Sequence, residues 1–196
     1  MNSASGTEPV HPAVLFILFL FMVLGVAITA RYAGIEFPWF AGVNAFFIAA
    51  VVMILSALWF GGWGVLAMYT GLVLSGYFLE GYQIGFILPF ILADLWQAAI
   101  PLVAFRELSA DPGLRSRRDI AIFLLFGVIG GPLAGAVWGV HWLASGGYIP
   151  AGMYHQAIGT WFFSNAIPIL LFATPILWLG TEYVRRSELY IAGWFR

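Results

Sequence analysis

"ILADLWQAAIP", residues 91–101, sets an aspartate and a glutamine inside a run that is otherwise apolar. The run continues on both sides, over about residues 85–105, and about 20 apolar residues are what a helix needs to cross a bilayer. The meaning of Asp94 therefore depends on the solvent around the chain. Of 196 residues, 62% are hydrophobic and 9% charged, against about 25% charged in a soluble domain. Mean hydropathy is +0.95. So few charges cannot solvate the surface of a globule of this size, and the lipid bilayer is the expected solvent. With no cysteine, a disulfide framework and a thiolate metal site are both excluded. A net charge of −1 offers no general attraction to nucleic acid, which is set aside as a partner.

Six stretches reach spanning length: 13–30, 42–60, 63–80, 85–105, 120–143 and 157–180. Lipid cannot satisfy backbone polar groups, so long apolar segments must close their own hydrogen bonds as helices. Barrel strands would show alternating segments of about 10 residues, which these are not. The expected fold is an all-α, polytopic membrane bundle of about six helices. The leader "MNSASGTEPVHP" lacks Lys and Arg, and the apolar run after it exceeds the roughly 7–15 residues of a signal peptide. The first stretch is read as a retained span. The expected layout is a short tail at 1–12, one transmembrane domain at 13–183 and a second tail at 184–196.

Arginine placement gives the orientation. Arg106, Arg115, Arg117 and Arg118 lie between the fourth and fifth stretches, Arg185, Arg186 and Arg196 follow the sixth, and Arg31 alone lies on the other side. Both termini and residues 106–119 are expected in the cytoplasm, with the chain a multi-pass protein of the inner (plasma) membrane. In "GVIGGPLAGAVWG", Gly127, Gly131, Gly135 and Gly139 stand four residues apart, a spacing that lets a neighbouring backbone approach closely. Pro89, Pro101, Pro132, Pro168 and Pro175 fall inside spans, where each removes a backbone donor. Trp39, Trp59, Trp63, Tyr82 and Tyr148 stand near span ends and read as interfacial anchors.

Placing aspartate at the centre of a spanning helix costs about 2.5–3.5 kcal/mol, so Asp94 is expected to face protein or water. Gln97 and Pro101 share its face at helical spacing. Trp161, Asn165 and Pro168 form a like stripe in the last span, with Ser164 alongside; Asn44 begins the second span and His155 precedes the sixth. Arg31, Glu36 and Glu80 join from loops and helix ends. In the expected orientation these groups converge from outside, as in an outward-opening pocket. Asp94, Gln97, Asn165, Trp161, Asn44 and His155 are its candidate residues. Asp94 and Asn165 could equally serve to tie helices together, Asn165 and Asn44 being the first candidates to partner Asp94. His141 and His155 stand at no short metal-ligand spacing, so no metal site is expected. Walker, GxSxG and HExxH patterns are missing; no catalytic residue is expected, and no cofactor can be named.

From residue 38 onward the order of features resembles that of bacterial integral membrane sensor domains, the membrane-associated sensors of the first type. The carrying segments are "FPWFAG", "ADLWQAAIPLVAFREL", "RSRRDIAIFLL" and "WFFSNAIPILLFATP". That resemblance implies a ligand-sensing module acting through a separate protein partner, in the membrane or at its cytoplasmic face. The chain is also similar to substrate-binding subunits of energy-coupling-factor transporters in span number, length and outward pocket. Those subunits usually dock through small residues spaced four apart in the first helix. Here "AVLFILFLFMVLG" is bulky, and the glycine ladder of the fifth span is the available substitute. An accessory subunit of a larger membrane complex is the third expectation.

Overall fold

The structure is a computed structural model that describes residues 12–36, 43–150, 152–187 and 189–195. Trp39, the "FPWFAG" segment up to residue 42, residues 1–11 of the leader and Arg196 lie outside the described residues. Among the described residues, five continuous helices are long and apolar enough to span a membrane: Ala13–Tyr32, Ala49–Leu79, Ile84–Glu107, Arg117–Ser145 and Tyr154–Arg186.

The elements run α1 (Pro12–Tyr32), β1 (Gly34–Glu36), β2 (Asn44–Phe47), α2 (Ala49–Leu74), α3 (Ile84–Phe90), α4 (Leu92–Glu107), α5 (Arg117–Ile122), α6 (Gly131–Ser145), α7 (Tyr154–Pro168) and α8 (Thr174–Arg186). Wider π-helical turns continue α2 through Ser75–Leu79, join α5 to α6 over Phe123–Gly130, and join α7 to α8 over Ile169–Ala173. The last two lie beside Pro132, Pro168 and Pro175. A proline leaves the carbonyl one turn earlier without its donor, and a local change of helical pitch is one way to absorb that loss.

α2 is two helices rather than one. At Gly61 the backbone leaves the helical region, with φ 59° and ψ −137°. The arms fold back so closely that a Cβ on Gly64 would lie 2.0 Å from the Ser56 carbonyl oxygen. Six helical arms therefore correspond to the six apolar stretches. The second stretch needs correction, however. Residues 44–47 are extended and pair antiparallel with β1, with Gly34 opposite Phe47 and Ile35 opposite Phe46; helix begins only at Ala49. Residues 49–60 give about 18 Å of helix, short of a roughly 30 Å hydrocarbon core. The extended residues before them supply further reach, and the pairing satisfies part of their backbone.

The first arm of α2 is the central element. Met53, Ile54 and Leu58 are fully buried, as are Val26 of α1, Leu102 of α4, Phe123 and Leu177 around it. α1 is peripheral: Phe16, Ile17 and Phe21 face outward, while Met22 and Val23 meet Ala67 in the second arm. A Cβ on Gly71 would come 2.5 Å from the Val23 carbonyl, so a small residue is required there. α4 and α6 pack by the same device. Cβ atoms on Gly131 and Gly135 would fall 2.7 Å from the Gln97 carbonyl oxygen and 2.8 Å from that of Ala93. Those two steps of the ladder thus face α4 inside the same chain, leaving them no face for a docking partner. Gly127 differs, being covered by Phe123 of its own helix.

Candidate ligand-binding site

A cavity of about 260 Å³ opens at the end of the bundle opposite residues 106–119. Its walls are the end of α1, the β1–β2 pair, the Ser75–Leu79 turn, the α3–α4 joint and α7. Helix α3, which carries Pro89, ends at that joint. Asp94 and Leu95 both donate their amides to the Ile91 carbonyl, each at 3.0 Å, and α4 starts afresh. Asp94 thereby falls in the first turn of α4 and lines the cavity with only 6% of its surface exposed. Its Oδ1 has no hydrogen-bond partner among the described residues.

Asn165 and Ser164 line the same cavity from α7 and are differently placed. The Asn165 amide nitrogen donates to the Trp161 carbonyl (2.8 Å) and to Ser164 Oγ (3.1 Å), while Ser164 Oγ donates to the Trp161 carbonyl at 2.8 Å. Asn165 Oδ1 accepts from Gln97 Nε2 at 3.1 Å. Gln97 is completely buried and lies beneath the cavity, outside its lining. The interhelical polar contact thus runs between Gln97 and Asn165, one turn below Asp94. The Gln97 side chain is itself packed against α6, since a Cβ on Gly135 would come 3.4 Å from its Oε1.

Trp161 is held from two sides. Its six-membered ring occupies the space over Gly139, where a Cβ would be 2.5 Å from Cη2, and it meets Phe90 edge-on at 5.7 Å. Its indole nitrogen is buried and has no acceptor among the described residues. Asn44 lines the cavity from β2, folded over Gly34, whose missing side chain leaves room for it. Ser75, Glu80 and Tyr82 add to the lining, with Ser75 Oγ donating to Glu80 Oε1 at 3.4 Å. Arg31 stands at the rim, exposed and over the Tyr32 ring at 5.4 Å.

Of the six residues expected at the pocket, Asp94, Asn165, Trp161 and Asn44 meet at one cavity. His155 is exposed and lies outside its lining. Tyr82, expected as an interfacial anchor, lines the cavity and tilts against Phe86 at 5.6 Å. Ser75 was not anticipated. Its signal was present as a serine in an apolar helix, five residues before Glu80.

No family model matches the chain, and no curated protein matches it. Among solved structures it is similar to the S-component for biotin from an ECF-type ABC transporter. The superposition covers 94% of this chain and 96% of that one, with a TM-score of 0.54 and 20% identity. The chain therefore shares the fold of that membrane helical subunit. The resemblance to sensor domains finds no support in these comparisons, whereas the resemblance to transporter subunits does.

Proposed function

We propose that the chain is the substrate-binding subunit of a membrane uptake system of the energy-coupling-factor type. The carrying observation is the cavity itself, built into one end of a bundle that follows an S-component fold over nearly its whole length. Concave sites with a few polar groups on an aromatic and aliphatic wall are where proteins bind small molecules. Here Phe47, Phe90 and Trp161 supply the wall, and Asp94, Glu80 and Asn44 the polar groups. The reading assigns binding, not bond-making, to the site, and energy for uptake comes from a separate membrane partner.

On this reading the cavity faces outside and residues 106–119 face the cytoplasm, as the arginine distribution requires. Single cysteines can be introduced into this cysteine-free chain and probed with an impermeant thiol reagent on intact cells. Labelling at position 147 and protection at 112 is the expected pattern; the reverse would overturn the orientation. Function is tested by isolating the chain from native membranes. Copurification with an ATPase-bearing membrane module and a bound small molecule is expected. A signalling protein in its place would restore the sensor reading, and a stoichiometric enzyme complex would favour an accessory subunit.

A further inference from the structure

The arginines around residues 106–119 are used unequally by the fold. Arg106 holds two carbonyls of the residues after α8, Arg185 pairs with Asp111, and Arg186 meets Glu182 at 3.4 Å. Arg118 is partly answered: it donates to the Leu108 carbonyl at 2.5 Å and stands near Asp119. Arg115 and Arg117 are exposed, and among the described residues neither forms an ion pair or a side-chain hydrogen bond. The carboxylates of this connection do not answer them. Asp111 holds Arg185, and Asp119 is buried and accepts from the Ser116 and Asp111 amides. Glu107 is exposed and forms no ion pair among the described residues.

Their position adds to the charge. Arg117 opens the helix that crosses the membrane as Arg117–Ser145. Ile120 and Leu124 follow it at one-turn steps, 42% and 37% exposed, and lie about 5 Å and about 10 Å further along the helix. Apolar side chains exposed on a spanning helix belong in hydrocarbon, which sets the arginines at headgroup depth. The helix itself gives no reason for cations there. Its macrodipole favours anions at the N-terminus, and the Ser116–Asp119 cap already supplies one. We propose that Arg115 and Arg117 form a contact site for the headgroup phosphate of an anionic phospholipid, with its acyl chains running along Ile120 and Leu124. Charge complementarity selects the occupant: guanidinium groups bind phosphate through paired N–H donors, and basic residues beside a span are drawn to lipids of net negative charge. An acidic soluble protein would meet the charge and leave Ile120 and Leu124 uncovered.

The test is native mass spectrometry of the purified chain in mild detergent. Phosphatidylglycerol and phosphatidylcholine with identical acyl chains are added in equal amounts, and phosphatidylglycerol should predominate in the first bound lipid. Each arginine beside an anionic surface is worth about fivefold, so Arg115→Gln with Arg117→Gln should cut the preference by at least that factor. Replacing the same pair by lysine keeps the charge and should retain most of it. Neither change removes a hydrogen bond or ion pair of the described residues, and an unchanged melting temperature would confirm the fold. Arg186→Gln, at an arginine already paired, should leave the preference nearly as it was. Equal binding of the two lipids, a preference that survives the glutamine pair, or an equal loss on Arg186→Gln would each overturn the site. A photo-crosslinker at position 117 in native membranes should be recovered on phospholipid. Recovery on a single acidic protein would give the patch to a protein partner and overturn the lipid assignment. None of these outcomes depends on what the cavity binds.

Discussion

The two ends of the bundle treat their polar groups in opposite ways. Around residues 106–119 the chain is stitched shut. Arg106 donates to the Ile191 carbonyl at 2.6 Å and to that of Ala192, and Arg185 pairs with Asp111 at 2.6 Å. Trp59 donates to Thr181 at 3.0 Å, and the Gly62 amide to the Trp194 carbonyl at 2.6 Å. These contacts join α4, the turn at Gly61, α8 and the residues after it. At the opposite end Asp94 and Trp161 line a cavity, and among the described residues neither Asp94 Oδ1 nor Trp161 Nε1 has a hydrogen-bond partner. Unsatisfied buried groups cost stability, and the stitched end holds one as well, the Nε of Arg106; what sets the far end apart is the cavity. One end fixes how the helices stand, and the other, on the proposed reading, is where a ligand sits.

That contrast is broken most severely at the fold-back. Gly64→Leu would drive a side chain into the Ser56 carbonyl, 2.0 Å from where its Cβ must sit. Loss of most folded protein is expected, read as monodisperse yield in detergent. Gly25→Leu, with nothing within 4 Å of its Cβ position, is the matched control and should be tolerated. Equal yields for both would mean that the arms of α2 do not close on one another.

The glycine ladder separates stability from binding. Gly135→Leu meets the Ala93 backbone and should lower the melting temperature strongly, because over-packing a fitted interface costs about 1–3 kcal/mol or more. Gly139→Ala meets the Trp161 ring instead. Its expected signature is weaker ligand binding with a smaller loss of stability. A larger loss of stability for Gly139→Ala than for Gly135→Leu would erase the distinction between packing on the α4 backbone and packing on the Trp161 ring.

How far the sequence discloses this arrangement depends on the physics of each part. The helices are legible because the bilayer leaves an apolar stretch one conformation, and all six stretches return as helical arms. The helical start of the second stretch misleads, because "NAFF" at 44–47 has the same composition whether strand or helix, and periodicity cannot separate short apolar runs. The fold-back shows in sequence only as the glycines of "FGGWG". Polar residues in apolar spans are expected to face inward, and Asp94, Gln97, Asn165 and Trp161 are all buried. Which of them pair does not follow, because Gln97 and Asn165 stand 68 positions apart and only the packed helices bring them together. His155 enters the expected set by residue type alone, and it lies on the surface.

At the stitched end, Arg106→Met keeps the length of the stem while removing two charge-assisted hydrogen bonds to backbone carbonyls. Such bonds are worth about 1.5–3 kcal/mol each, less where solvent reaches the group, and Arg106 is only half-buried. A fall in stability of about 2 kcal/mol is expected in a reversible denaturation series, with ligand affinity unchanged. A change in affinity of similar size would show that the two ends are coupled.

The smallest effect belongs to the start of α5. Ser116 and Asp119 form a reciprocal cap: Ser116 Oγ accepts from the Asp119 amide at 3.1 Å, and Asp119 Oδ2 accepts from the Ser116 amide at 3.0 Å. Asp119 Oδ1 also accepts from the Asp111 amide at 3.1 Å, and Asp111 holds Arg185. The cap therefore anchors the 106–119 connection to α8 as well as starting a helix. Loss of an N-cap hydroxyl costs about 1 kcal/mol, so Ser116→Ala should lower stability by about that amount. Ser116→Thr, which keeps the hydroxyl, should lose less. Hydrogen exchange should quicken at residues 116–119 and stay unchanged at residues 92–95, at the far end of α4. Faster exchange at both places would mean that the cavity end depends on the stitched end for its order, and the two would have to be treated as one cooperative unit.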